Sequence, residues 1–191
     1  MKAAEITLWQ LAIAEGGFAV VGLIIIYARG AVGSVSLRLP YGLEAAIGLP
    51  LGVLLGAAIG SAILLSPLRD TIARGLVLLR RLIANLGSIL LVGLLAGVGE
   101  ELLFRAALQP WLGIIAASLL FGLTHSGTAR LNEGVSVGKL TYVLGTMVAG
   151  YLLGILYVKV GLLASISAHA GFDIAILMVL APALRRAITT A

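Results

Sequence analysis

The chain alternates long apolar runs with short breaks that hold most of its charges. Runs bounded in this way cover residues 6–28, 43–65, 83–108, 111–125, 140–158 and 162–181. A helix needs about 20 apolar residues to cross the hydrocarbon core of a bilayer, so the pattern predicts about six spanning helices. The fourth run is at the short limit and can be lengthened through residues 124–128. Pro50 is placed to start or kink the second. The apolar stretch after Lys2 continues to Tyr27, longer than the core of a signal peptide, and is read as a retained first helix.

Within these runs Gly52, Gly56 and Gly60 recur every four residues, as do Gly93 with Gly97 and Gly150 with Gly154. Each series gives a helix a small-residue face for close packing against a neighbour. In the 66–82 connection Leu68, Ile72, Leu76, Leu79 and Ile83 form a stripe among Arg69, Arg74, Arg80 and Arg81. That pattern predicts a helix lying on the cytoplasmic membrane surface.

Composition agrees with the pattern: 61% of residues are hydrophobic, 11% are charged, and the mean hydropathy is +1.15. These values lie outside the range of soluble domains. The expectation is an all-α, polytopic membrane helix bundle forming one domain over residues 1–191. The net charge of +5 comes from basic residues scattered between apolar runs, not from a solvated basic block, so no nucleic-acid partner is expected. The absence of cysteine excludes disulfides, thiol catalysis and thiolate metal ligation.

With six spans, Lys2, Arg69, Arg74, Arg80, Arg81, Arg130, Lys139, Arg185 and Arg186 share one side of the membrane. Arg29, Arg38, Arg105 and Lys159 lie toward the other. The positive-inside rule then predicts cytoplasmic termini. Tyr27, Tyr41, Trp111 and Tyr157 fall near the opposite interface, where amphipathic rings prefer to sit.

Against this background a few polar side chains inside the runs stand out: Glu15, Glu100, Glu101, Arg105, His125, His169 and Asp173. A charged side chain at the centre of an inserted helix costs roughly 2.5–3.5 kcal/mol on translocon scales, so each needs a partner or a task. Glu101 and Arg105 are four apart and can pair, leaving Glu100, about 100° round the helix, pointing elsewhere. His169 and Asp173 share a face of the last span, and Phe121 and His125 share one of the fourth. At 1.5 Å per residue, Glu100, His125, His169 and Asp173 come to depths of about 12–20 Å, which allows three helices to bring them together. A carboxylate and two imidazoles in low dielectric suit proton abstraction from water and stabilisation of an oxyanion. Glu15 has no evident role.

The motifs Glu100-Glu101-Leu-Leu-Phe-Arg105, Phe121-Gly-Leu-Thr-His125 and His169-Ala-Gly-Phe-Asp173 resemble EExxxR, FxxxH and HxxxN/D of the CPBP (CAAX protease and bacteriocin-processing, or Abi) intramembrane proteases, related to type II CAAX prenyl endopeptidases. They occur in the family's order, in a motif core of about residues 83–181. The resemblance implies that Glu100 and His125 activate a water, that His169 with Asp173 forms the oxyanion site, and that Glu101 and Arg105 hold the site together. It further implies a bacterial plasma-membrane peptidase of the glutamic type, acting on a peptide or membrane-protein substrate, lipidated or not. Asp173 departs from the Asn of the pattern: protonated it can donate to an oxyanion, and ionised it can orient His169. No cofactor is required by this scheme. Zinc is the less favoured alternative, with Glu100, His125 and His169 as its ligands. Two competing functions are a non-catalytic membrane partner, such as a bacteriocin-immunity or scaffold protein, and a small transporter or proton relay.

Overall fold

The computed structural model describes residues 6–35, 38–66, 69, 85–127 and 134–189. Among these the secondary structure is entirely helical: α1 (Leu8–Ala28), a short 3-10 turn (Val32–Val35), α2 (Tyr41–Leu65), α3 (Leu86–Glu101), a π-helical segment (Leu102–Leu108), α4 (Gln109–Thr124), α5 (Val137–Lys159) and α6 (Leu162–Thr189). The surface helix expected over 66–82 falls largely outside the described residues.

Capping side chains set several boundaries. The Thr7 hydroxyl accepts from the Gln10 N–H while Gln10 Oε1 accepts from the Thr7 N–H, a reciprocal cap that starts α1. Asn85 caps α3 through the Ser88 N–H. Ser136 caps α5 through the Lys139 N–H, so this helix begins ahead of the expected residue 140. α2 runs through Pro50 without ending, and α6 continues past residue 181 through Pro182.

Among the described residues five helical stretches are long and apolar enough to cross a membrane, where about six were expected of the chain. The third and fourth runs form one continuous stretch, Leu86–Thr124. Its 39 residues would extend about 58 Å if straight, well beyond a hydrocarbon core of about 30 Å. The chain instead breaks at Gly113, with φ 81° and ψ 165°, backbone angles that a side chain would oppose. Phe121 thereby returns to Phe104, ring centroids 5.2 Å apart, although a straight helix would separate them by about 25 Å. The break expected between residues 108 and 111 thus falls instead at Gly113, the residue able to adopt the reversal.

Lipid tails are as apolar as leucine, so these helices associate through close van der Waals packing and internal hydrogen bonds. Gly48, Gly52 and Gly56 of α2 lie directly on the backbone of Ala164, Ala168 and Phe172 in α6, leaving no space for a Cβ. On another face of α6, Gly93 and Gly97 of α3 meet Ala170. Gly150 of α5 faces the Phe121 ring. α6, which carries His169 and Asp173, is therefore held by its neighbours through backbone contacts. Large apolar side chains such as Ile24, Leu54, Ile115 and Val148 point outward, as a lipid-facing surface requires.

Tyr27, Tyr41 and Trp111 are exposed near helix ends. Tyr157, also near a helix end, is buried instead, and its hydroxyl donates to the Ser34 carbonyl at 3.0 Å. Glu44, fully buried in the first turn of α2, accepts from the backbone N–H groups of Arg38, Leu39 and Leu163 at 2.8, 3.1 and 3.0 Å. It ties the start of α2 to the start of α6, and its carboxylate compensates N–H groups that the first turn of α6 leaves free.

Candidate active site

α3 and the π-helical segment deliver the two glutamates and the arginine to the interior. Five consecutive residues, Leu103 to Ala107, are buried, so this segment is surrounded on all sides. Widened helical turns of this kind recur at functional positions. Here the segment keeps Glu101 and Arg105 paired, Oε2 to Nε 3.1 Å, with both side chains wholly excluded from the surface.

Glu101 does more than neutralise Arg105. Its Oε2 also accepts from the Ser165 hydroxyl, and its Oε1 lies 2.9 Å from Nδ1 of His169. Three partners on two helices therefore converge on one carboxylate. Ser165 was not singled out from the sequence, although it stands four residues before His169 on the same helical face. The Arg105 guanidinium lies 4.9 Å from the centre of the Phe121 ring, within range for a cation–π contact.

Glu100 points away from this cluster, as the 100° step requires. Its Oε2 is buried, has no hydrogen-bond partner among the described residues, and lies 3.9 Å from Nε2 of His125. His125 follows the last residue of α4, with Nδ1 2.8 Å from the carbonyl oxygen of Phe121. A carbonyl only accepts, so Nδ1 carries the hydrogen, and in the neutral ring Nε2 presents a lone pair toward Glu100. Two acceptors thus face each other across a gap too long for a hydrogen bond and short enough for one small donor to touch both.

His169 completes the group. Its Nε2 is 3.7 Å from Asp173 Oδ2, one turn along α6. The Phe121 ring lies between the two imidazoles, its centroid 4.8 Å from that of His125 and 5.7 Å from that of His169. The sequence-selected Glu100, Glu101, Arg105, His125, His169 and Asp173 therefore form one cluster, with Glu100, Glu101, Arg105 and His169 buried and His125 and Asp173 half-buried. Glu15 joins it from α1: its side chain is buried, its Oε2 is unpartnered among the described residues, and it packs against Gly99, next to Glu100.

The zinc alternative fits these positions poorly. Among the described residues no three His, Asp or Glu side chains are grouped so as to hold a metal ion. Of the proposed ligands, His169 has one nitrogen on Glu101 and the other toward Asp173.

Helices long and apolar enough to cross a membrane, with Glu–His pairs brought together among them, define the class: an all-α polytopic membrane protein with a polar interior centre. Residues 82–175, just under half of the chain, match the family model of Rce1-like type II CAAX prenyl endopeptidases. The matched stretch contains every motif residue from Glu100 to Asp173 and leaves α1 and α2 outside. No curated protein and no solved structure matches the chain.

Proposed function

We propose that the protein is an intramembrane endopeptidase of the CPBP type, in which Glu100 and His125 activate a water without a metal. The observation that carries this reading is the 3.9 Å separation of two facing acceptors, Glu100 Oε2 and His125 Nε2. A water fits their chemistry because it has two O–H groups to donate, one to each. Glu100 takes a proton as the water oxygen attacks the scissile carbonyl carbon, and returns it to the leaving amine as the C–N bond breaks. His125 orients the water through the lone pair of Nε2.

The tetrahedral intermediate places a negative charge on the former carbonyl oxygen. His169 as imidazolium donates Nδ1–H to Glu101 and keeps Nε2–H for that oxygen, with Asp173 alongside to orient the ring. Glu101 and Arg105 hold His169 in place. In this reading the reversal at Gly113 separates two crossings, both termini are cytoplasmic in a bacterial plasma membrane, and the substrate is a peptide or membrane-protein segment within reach of mid-membrane.

The test is cleavage of a fluorogenic peptide library by purified protein in detergent or vesicles. Glu100→Ala and His125→Ala should each abolish cleavage seen with the wild type. Unchanged cleavage by both variants would sink the assignment.

A further inference from the structure

The site holds more acceptors than donors. Glu100 as the base and Asp173 when ionised donate nothing, and Nδ1–H of His125 is spent on the Phe121 carbonyl. Of the two residues assigned to the oxyanion, His169 and Asp173, the first then offers a single donor, Nε2–H, where an oxyanion ordinarily needs two or more. Nearby hydroxyls are already committed. Ser165 donates to Glu101, Thr124 to the Phe121 carbonyl, Thr146 to the Val143 carbonyl and Ser167 to the Leu163 carbonyl.

Tyr142 is not committed. It stands in the second turn of α5, a helix that contributes no motif residue, and its ring centroid lies 6.3 Å from that of His125. No hydrogen bond to the phenol occurs among the described residues, in contrast to Tyr157 on the same helix, whose hydroxyl is tied to Ser34. The side chain is half-buried, and a phenol without a partner beside the His125 imidazole is placed to receive an acceptor brought by a ligand.

We infer that Tyr142 is a catalytic residue that donates its phenolic O–H to the oxyanion of the tetrahedral intermediate, supplying the second donor beside His169. The inference rests on the peptidase reading above. The phenol stays protonated throughout, so no proton is gained or lost in the step. As the carbonyl oxygen gains charge the hydrogen bond shortens and strengthens, and as the C–N bond breaks it relaxes. Its contribution therefore falls on the transition state and not on substrate binding.

The experiment compares wild type, Tyr142→Phe and Glu100→Ala on one fluorogenic peptide that the wild type cleaves. It adds binding of a phosphinic analogue of that peptide, whose tetrahedral anion mimics the intermediate. Thermal melting in detergent verifies that Tyr142→Phe, which keeps the ring, is folded. The expected result is a loss of about 10²–10³-fold in kcat with KM within about twofold, and weaker phosphinate binding in proportion. Tyr142→Phe with kcat within about threefold of wild type, while Glu100→Ala is inactive, would overturn the inference and leave the peptidase reading standing. A rise in KM with kcat unchanged would overturn it too, since that marks substrate binding. Full cleavage by Glu100→Ala would remove both readings together.

Discussion

Nδ1 of His169 lies 2.9 Å from Oε1 of Glu101, a contact between residues 68 positions apart that joins α3 to α6. It makes the second glutamate of the pair an orienting partner of an imidazole as well as the counter-ion of Arg105. In the proposed mechanism, stability and turnover are therefore coupled at this residue. Glu101→Ala is expected to lose both the buried ion pair and the hold on His169. Breaking one partner of a buried pair costs about 3–5 kcal/mol, so the folded yield in detergent should fall sharply, and the folded fraction should show lower kcat. Size-exclusion yield and specific activity, measured together, check it; wild-type values for both would refute the coupling.

Ser165 offers a milder probe of the same carboxylate. Ser165→Ala removes one of the hydrogen bonds on Glu101 and leaves the Arg105 and His169 contacts in place. A loss of about 1 kcal/mol is expected, with the protein still folded. A small drop in melting temperature with retained peptide cleavage is the outcome to look for.

The seam between α2 and α6 predicts a sharp contrast among glycines. At Gly52 a new Cβ would collide with the backbone of Ala168, next to His169, whereas at Gly17 it would meet nothing within 4 Å. Gly52→Val should force the helices apart and reduce folded protein to a small fraction of wild type. Gly17→Ala should be neutral or stabilising by up to about 1 kcal/mol, because alanine favours the helix over glycine. Equal melting temperatures for the two variants would contradict the packing described.

Glu44→Ala would leave the N–H groups of Arg38, Leu39 and Leu163 without their acceptor. An abandoned buried donor costs about 1–3 kcal/mol, so the combined loss should exceed that of a lipid-facing change such as Leu54→Ala. Parallel thermal unfolding in detergent decides it, and similar midpoints would show that water replaces the carboxylate freely.

Gly99 tests the position of Glu15. A Cβ there would collide with the Glu15 backbone, so Gly99→Ala should push α1 away from α3 and lower stability without altering any motif residue. A wild-type melt would show that the contact yields at little cost.

Much of this protein was legible along the chain because lipid imposes a simple rule. Backbone groups must bond internally and side chains must be apolar, so the runs marked the helices and most of the charges inside them marked one candidate site, while Glu44, a structural tie, went unnoticed. Spacing of four residues placed Glu101 with Arg105 and His169 with Asp173 on common faces, and both proximities are present. Local periodicity says nothing about which helix lies beside which. The contacts of Glu101 with Ser165 and His169, of Tyr142 with His125, and of Glu44 with Leu163 all cross between elements. They depend on the reversal at Gly113 and on glycine faces that let backbones touch. The sequence by itself determined the membrane class, the approximate helices and the motif residues; only tertiary packing decided the partners of Glu101 and the free phenol of Tyr142, because side chains distant in the chain meet only once the helices have docked.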